Sequence, residues 1–252
     1  MSGLATFLQD GCLTFSSTSD SLRWAKAARV RALQIASDPK KQAQNLRHGK
    51  TWFVGVDAMP NAPDGSVDGV PLAGPWTPFL PQDIEQHPAQ VSIIYPGYPQ
   101  QDTNQSDANH RYRVTRDAAH MDGLLPSGPD RRRLAEEFHA FILGIGLGSA
   151  TAGATVYWRG SHHILRRAMK DAMSHAQRGA DVTEAYHAAR KEVFETCERV
   201  ELPCTLGASF LLHRFTLHGT APWGGAANFI EGRIMAFFRP EFPNIADWFT
   251  SP

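Results

Sequence analysis

The sequence predicts a mainly β chain with flanking helices, folded as a sandwich or jelly roll. Three observations lead there. Short runs rich in β-branched and aromatic residues recur along the chain. Turns containing Gly or Pro separate them. Helical spacing is confined to the N-terminal fifty residues and to a block at 162–198.

Composition narrows the function classes. The 252 residues suit one large domain with a substantial core. Lys plus Arg equals Asp plus Glu at 25 each, so the chain is neutral, which argues against a nucleic-acid binder held by phosphate contacts. The three cysteines, Cys12, Cys197 and Cys204, have no metal-binding spacing and read as free thiols in a reducing compartment. No signal-peptide pattern and no apolar stretch of membrane-spanning length is present, so a cytoplasmic protein without membrane contact is expected.

Ser19 or Asp20 is positioned to cap a helix running to about Ile35, with Leu22, Ala25, Val30, Leu33 and Ile35 on its apolar face, packed against the outside of the barrel. A second short helix covers 39–47. Thr51–Val56 reads as a strand. Residues 58–82 are rich in Pro and Gly and carry Trp76 and Phe79, which suits either a pocket wall or a pinned surface loop. Gln90–Tyr95 is the next strand. A polar loop at 99–109 leads to a strand at Arg111–Val114. Pro126–Asp130 is a turn. Arg131, Arg132 and Arg133 come next, either as a solvated face or as a receptor for an anionic substrate.

Phe138–Leu147 and Thr155–Trp158 are strands, with a turn at Gly148–Gly153 between them. The spacing of Ile164, Leu165, Ala168, Met169, Ala172 and Met173 is helical, with Gly179 as the stop. A capping box at Asp181–Glu184 opens another helix to about Glu198. His175 and His187 in these helices are not expected to be ligands. His162 and His163 cap a strand end or a helix start. Leu202–Gly207 is a turn, Ala208–His213 a buried strand, and Gly232–Phe238 the last strand. The predicted organisation is one domain over 1–252. Residues 1–50 form a helical packing region, 51–160 and 200–240 the jelly-roll strands, and 162–198 a helical insertion.

His120-Met121-Asp122 carries the chemistry. On a strand, positions i and i+2 share a face, so both side chains converge on one point and Met121 turns away into the wall. Alone, the motif is expected on the order of once by composition, so its weight comes from its downstream partners. His218, at the end of a predicted strand, can supply a third ligand. Two imidazoles and one carboxylate on one face suit Fe(II) and leave positions open for oxygen and a cosubstrate. Arg233 interrupts an apolar strand, where an arginine needs an anionic partner. Thr220 can add a hydroxyl to that anion. His213 reads as structural.

The ordered series is His120-x-Asp122, an apolar strand, Gly160-Ser161-His162, Leu202-Pro203-x-x-x-Gly207-x-x-x-Leu211, His218-x-Thr220 and Arg233. It resembles the phytanoyl-CoA dioxygenase-type branch of the Fe(II)/2-oxoglutarate-dependent oxygenases over residues 110–240. The resemblance implies a cupin-like double-stranded β-helix, with iron held by His120, Asp122 and His218. It also implies that the far carboxylate of 2-oxoglutarate is held by Arg233 and Thr220. The gap from His218 to Arg233, containing Gly224–Ala227, is longer than usual, so Arg239 is an alternative anchor. The implied activity is hydroxylation of a small molecule with release of succinate and carbon dioxide. Asp122 favours hydroxylation, because halogenases of the superfamily lack that carboxylate. Two other readings of the same residues stay open: a zinc hydrolase or isomerase using the three ligands, and a non-catalytic 2-oxoglutarate sensor. Trp52, Trp76, Phe79, Tyr95 and Tyr112 are candidates for a substrate pocket.

Overall fold

The computed structural model describes residues 3–81, 84–224 and 231–251. The N-terminal part contains α1 (Gly3–Asp10), β1 (Cys12–Phe15), α2 (Ser19–Ser37), α3 (Pro39–Asn45) and β2 (Leu46–Arg47). After it come β3 (Trp52–Gly55), β4 (Gln90–Ile94), α4 (Asp107–Thr115) and the hairpin β5 (Leu124–Ser127) and β6 (Arg132–Ala135). The centre holds β7 (Phe141–Gly146), β8 (Ala150–Trp158), α5 (Ser161–Ala172), β9 (Ala180–Asp181) and α6 (Thr183–Thr196). The chain closes with β10 (Arg199–Cys204), β11 (Ser209–His213), β12 (His218–Thr220), β13 (Arg233–Phe238) and α7 (Asp247–Thr250).

Two antiparallel sheets face each other. The larger has seven strands in the order β1-β11-β7-β13-β4-β3-β2, and the smaller is β10-β8-β12. A third sheet, β5-β6-β9, flanks them. This is the mainly β, jelly-roll architecture expected. The period-2 alternation sorts the side chains. Ile142, Tyr157, Leu202, Phe210, Leu212 and Met235 meet between the two sheets. Val91, Ile93, Leu143, Ile145, Leu211, Ile234, Ala236 and Phe238 point outward from the larger sheet into a second cluster that includes α2. The N-terminal fifty residues are thus more than a helical cover, because β1 and β2 form the two edges of the larger sheet.

Helix α2 packs outside the barrel as expected, with Ala25 buried and Leu33 and Ile35 partly buried on the core, but the centre of its packed face is shifted toward a stripe of alanines. Its cap is Thr18, whose side chain accepts from the Ser21 amide in a reciprocal capping box, rather than Ser19 or Asp20. Its buried residues are Ser21, Trp24, Ala25, Ala28, Ala32 and Ala36, while Val30 is 54% exposed. A stripe of alanines lets the helix lie close to the sheet, and Trp24 fills the space beside Phe238, with ring centroids 5.6 Å apart. The Trp24 indole N–H donates to the Gly65 carbonyl at 2.9 Å. Trp76, fully buried, pins the same 58–81 loop into the outer cluster.

Several local expectations change. Arg111–Val114 lies in helix α4, where the Ser106 hydroxyl accepts from the Asn109 amide and starts the helix. The turn expected at Pro126–Asp130 shrinks, because Pro126 and Ser127 pair with β6. The turn at 148–153 shrinks similarly, since β8 begins at Ala150, and Leu202–Cys204 is strand rather than turn. Helix α5 ends at Ala172, well before Gly179. Asp181 caps Thr183, but Glu184 turns outward to Arg132, so no capping box forms. No helix among the described residues is long and apolar enough to cross a membrane.

The packing is open to two tests. Ala28→Leu forces a larger side chain between helix and sheet and should lower stability by about 1–3 kcal/mol in urea unfolding. An unchanged midpoint would contradict the close approach of α2. Burial also pushes His48 and His162 down from an ordinary value of 6.5 to about 4. Between those values the unfolded chain binds protons that the folded chain does not, so stability should fall as the pH drops through that window. Urea midpoints measured across it should decline, and less steeply in His162→Gln.

Candidate metal centre and its two cavities

The centre forms where a loop meets a strand. His120 and His218 exchange both backbone hydrogen bonds, at 2.8 and 2.9 Å, in an isolated antiparallel bridge. Residue 120 thereby takes the place beside β12 that a fourth strand of the smaller sheet would occupy. The His-x-Asp segment is thus a single bridge at His120 running into a turn at Asp122 rather than the strand expected, and His218 opens β12 rather than ending a strand. The convergence still holds. One ligand atom from each of His120, Asp122 and His218 lies within 4.8 Å of the others. Met121 is 2% exposed and packs into the core, as the alternation predicted.

Local constraints bring this about. Asp117 and Ala118 both take left-handed backbone conformations, with φ of 54° and 51°. Such residues are strained unless their surroundings hold them. Asp117 is held by Arg199 through two hydrogen bonds of 2.6 and 3.1 Å, and its carbonyl accepts from the Thr220 amide at 2.8 Å. A side chain at Gly219 would place its Cβ 2.3 Å from that same Asp117 carbonyl, so the approach requires glycine. Gly123, at φ +84°, turns the chain away immediately after Asp122.

The imidazoles are oriented from behind. His120 Nδ1 lies 3.0 Å from the Ala118 carbonyl, and His218 Nδ1 lies 2.9 Å from the Thr216 carbonyl. A carbonyl only accepts, so each Nδ1 carries the proton and each Nε2 presents a lone pair. Both Nε2 atoms face Asp122 Oδ1, at 3.3 Å for His120 and 3.7 Å for His218. Burial would raise the Asp122 pKa, but the Arg239 guanidinium beside it outweighs burial and holds the carboxyl well below its ordinary range. Arg239 Nη1 lies 3.4 Å from Asp122 Oδ2. Two imidazole Nε2 atoms and one ionised carboxylate form a fitting donor set for a divalent metal with open positions.

Two cavities meet at this group. An interior cavity of about 240 Å³ runs between the sheets, lined by Trp52, Val54, Ser92, Thr155, Thr220 and Phe237 among others. An outer cavity of about 470 Å³ opens over α4, α6 and the β5–β6 hairpin. His120, Asp122, Thr220, Arg239 and Trp52 belong to both.

Arg233 is 1% exposed and sits on the interior face of β13. Register fixes its place. His218 pairs with Tyr157 and Thr220 with Thr155 along β8. Two residues further on, the Gly153 carbonyl accepts from Arg233 Nε at 2.8 Å. Arg233 therefore ends a row of positions that starts at His218. It does not line the interior cavity itself, whereas Arg239 does. Its Nη1 and Nη2 have no hydrogen-bond partner among the described residues, and neither does the buried Thr155 hydroxyl. Residues 225–227 of the Gly224–Ala227 stretch lie outside the described residues.

Of the aromatic pocket candidates, Trp52 and Tyr112 line the cavities, Trp76 is core, Tyr95 packs on the core, and Phe79 borders a separate groove. Sequence reasoning missed Asp117, Arg199 and Gly219, whose importance lies in a backbone approach that no local pattern announces. His162 stands in the first turn of α5 with its Nε2 3.0 Å from the Leu8 carbonyl, and His213 is buried, so both are structural.

Gly219→Ala should drive the 117–120 segment off β12 and separate the two imidazoles. Mn(II) or Fe(II) affinity is expected to fall at least about tenfold with the circular dichroism spectrum retained. Wild-type affinity in this variant would refute the role of the bridge.

No family model and no curated protein matches the sequence. Solved structures do match in fold. The non-haem alpha-ketoglutarate-dependent carbocyclase SnoK from nogalamycin biosynthesis superposes with a TM-score of 0.53 at 13% identity, over 95% of this chain and 83% of that one. The non-haem alpha-ketoglutarate-dependent epimerase SnoN from nogalamycin biosynthesis gives 0.52 at 13% identity, over 95% and 81%. EvdMO1 gives 0.54 at 12% identity over 96% of this chain, which spans half of that longer one. The chain thus has the double-stranded β-helix fold of SnoK and SnoN.

Proposed function

We propose that the protein is an Fe(II)- and 2-oxoglutarate-dependent oxygenase of the phytanoyl-CoA dioxygenase-like branch that hydroxylates a small molecule. The observation that carries this reading is the pairing of two unmatched features. A His-Asp-His group offers three ligand atoms to a metal. At the far end of the interior row, a buried guanidinium has two nitrogens with no partner among the described residues. An uncompensated buried cation costs several kcal/mol, and an arriving carboxylate would remove that cost.

Bound iron with 2-oxoglutarate and dioxygen supplies an oxidative decarboxylation that yields succinate and carbon dioxide and oxidises a substrate C–H bond. The chain's own residues set the conditions. His120 Nε2, His218 Nε2 and Asp122 hold the metal. Arg239 keeps Asp122 ionised and in place. Thr155 and Thr220 offer hydroxyls along the row, and Arg233 takes the far carboxylate. Arg239 is the weaker anchor, because its Nη1 already lies 3.4 Å from Asp122, beside the metal rather than away from it. Val54, Ile142, Leu212 and Phe237 keep the interior cavity apolar and limit water.

The test is anaerobic titration with Fe(II) and then 2-oxoglutarate, monitored by the visible absorption band of the complex. Wild type should show the band, and oxygen should release one succinate per complex. Arg233→Met should weaken 2-oxoglutarate at least about tenfold while metal affinity is unchanged. Its ligand-free form should unfold no earlier than wild type, since the substitution removes an unpaired charge. A band that survives Arg233→Met would defeat the anchor assignment. Bound zinc with no succinate would defeat the oxygenase reading.

A further inference from the structure

We propose that the outer cavity binds the substrate through anionic groups, so that the substrate is a small polyanion carrying phosphates or carboxylates. Its being a substrate rests on the oxygenase reading; the anion site itself does not.

The arginines of this cavity are presented rather than paired. Arg113, Arg131, Arg133 and Arg190 line it, together with Arg239 at the metal group. Its carboxylates are all engaged elsewhere: Asp117 with Arg199, Asp122 with the histidines and Arg239, and Glu137 with His139. None of the four arginines has a carboxylate within 4.0 Å among the described residues. Aromatic rings hold two of them instead. The Arg113 guanidinium lies 5.4 Å over Trp52, with Nη1 donating to the Tyr98 hydroxyl at 2.8 Å, and its buried Nε has no partner among the described residues. Arg190 lies 4.9 Å over Tyr112 and 5.2 Å over Tyr186. A ring orients a cation without neutralising it, so the charge stays available to a ligand.

The hairpin shows the same division. Strand alternation sends Arg132 outward, where Asp181 and Glu184 pair with it. Arg133, on the opposite face of the strand, lines the cavity with Nη1 donating to the Leu124 carbonyl at 3.4 Å, and Arg131, in the turn just before the strand, lines it too; neither meets a carboxylate. In a chain with no net charge, this concentrates positive potential at one place, beside the metal group. A volume of about 470 Å³ suits a metabolite rather than a macromolecule.

The test is calorimetric titration of protein carrying Fe(II) and saturating 2-oxoglutarate, anaerobically, with pyrophosphate, with tricarballylate and with neutral glycerol. At least one anion should bind, more weakly as salt is raised, and glycerol should not. The arm that binds tells phosphate from carboxylate recognition. The double variant Arg131→Gln/Arg190→Gln should lose at least about tenfold in anion affinity while the 2-oxoglutarate band remains, and Arg132→Gln should bind like wild type. Equal binding by the double variant, or equal binding of glycerol, would overturn the proposal. A normal band without anion binding overturns this proposal alone. Anion binding in a protein that shows no band supports the cavity and removes the oxygenase reading.

Discussion

Two backbone hydrogen bonds between His120 and His218 hold the candidate centre together. Neither histidine reaches the other through a regular sheet. A single bridge brings a strained loop against the first residue of a three-residue strand, and the rest of the site depends on that contact. It requires glycine at 219, because any Cβ there meets the Asp117 carbonyl. It requires the Asp117–Arg199 pair, because two successive left-handed residues do not hold themselves. The carbonyls of Ala118 and Thr216 then set the tautomers, two residues before each histidine. Ligand geometry thus comes from main-chain geometry, and the side chains have little freedom left to lose when a metal arrives.

Charge divides the site into three zones. At the centre, Asp122 is balanced by Arg239. At the inner end, Arg233 is buried with two nitrogens unmatched among the described residues. On the outer side, arginines stand over aromatic rings or a backbone carbonyl rather than over carboxylates. Unmatched positive charge therefore lies on both sides of one metal-ligand group, in two cavities that meet there. A chain of zero net charge gains nothing in stability from such an arrangement. Under the two proposals made above, it serves to receive anions, one from each side.

Much of this was legible in the sequence, and the misses have physical causes. The burial of Arg233 on a strand was legible because an arginine stands there among apolar residues; its role as an anchor is a proposal. The strands around Gln90, Phe141, Ser209 and Arg233 were legible because β-branched and aromatic runs ended at turn residues. Helix α4 was not, because the alternation in Arg111–Val114 imitates a strand while the Ser106 cap that starts the helix lies five residues upstream. The apolar positions of α2 place its packed face only approximately, because the residues in closest contact are alanines, which carry little hydrophobic signal, and Val30 faces out. The bridge at His120 was invisible, since it depends on a non-local approach made possible by one glycine. The separation of Arg132 from Arg131 and Arg133 depends on the register of β6 and on the left-handed turn at Arg131, neither of which the run of three arginines announces.

The most direct measurement is an anaerobic crystal structure with Fe(II) and 2-oxoglutarate, with anomalous scattering collected at the iron edge. The account predicts one iron peak bonded to His120 Nε2, His218 Nε2 and Asp122, with the far carboxylate of 2-oxoglutarate on Arg233. An iron peak away from these three residues, or a 2-oxoglutarate carboxylate held by Arg239 with Arg233 still unpartnered, would contradict it.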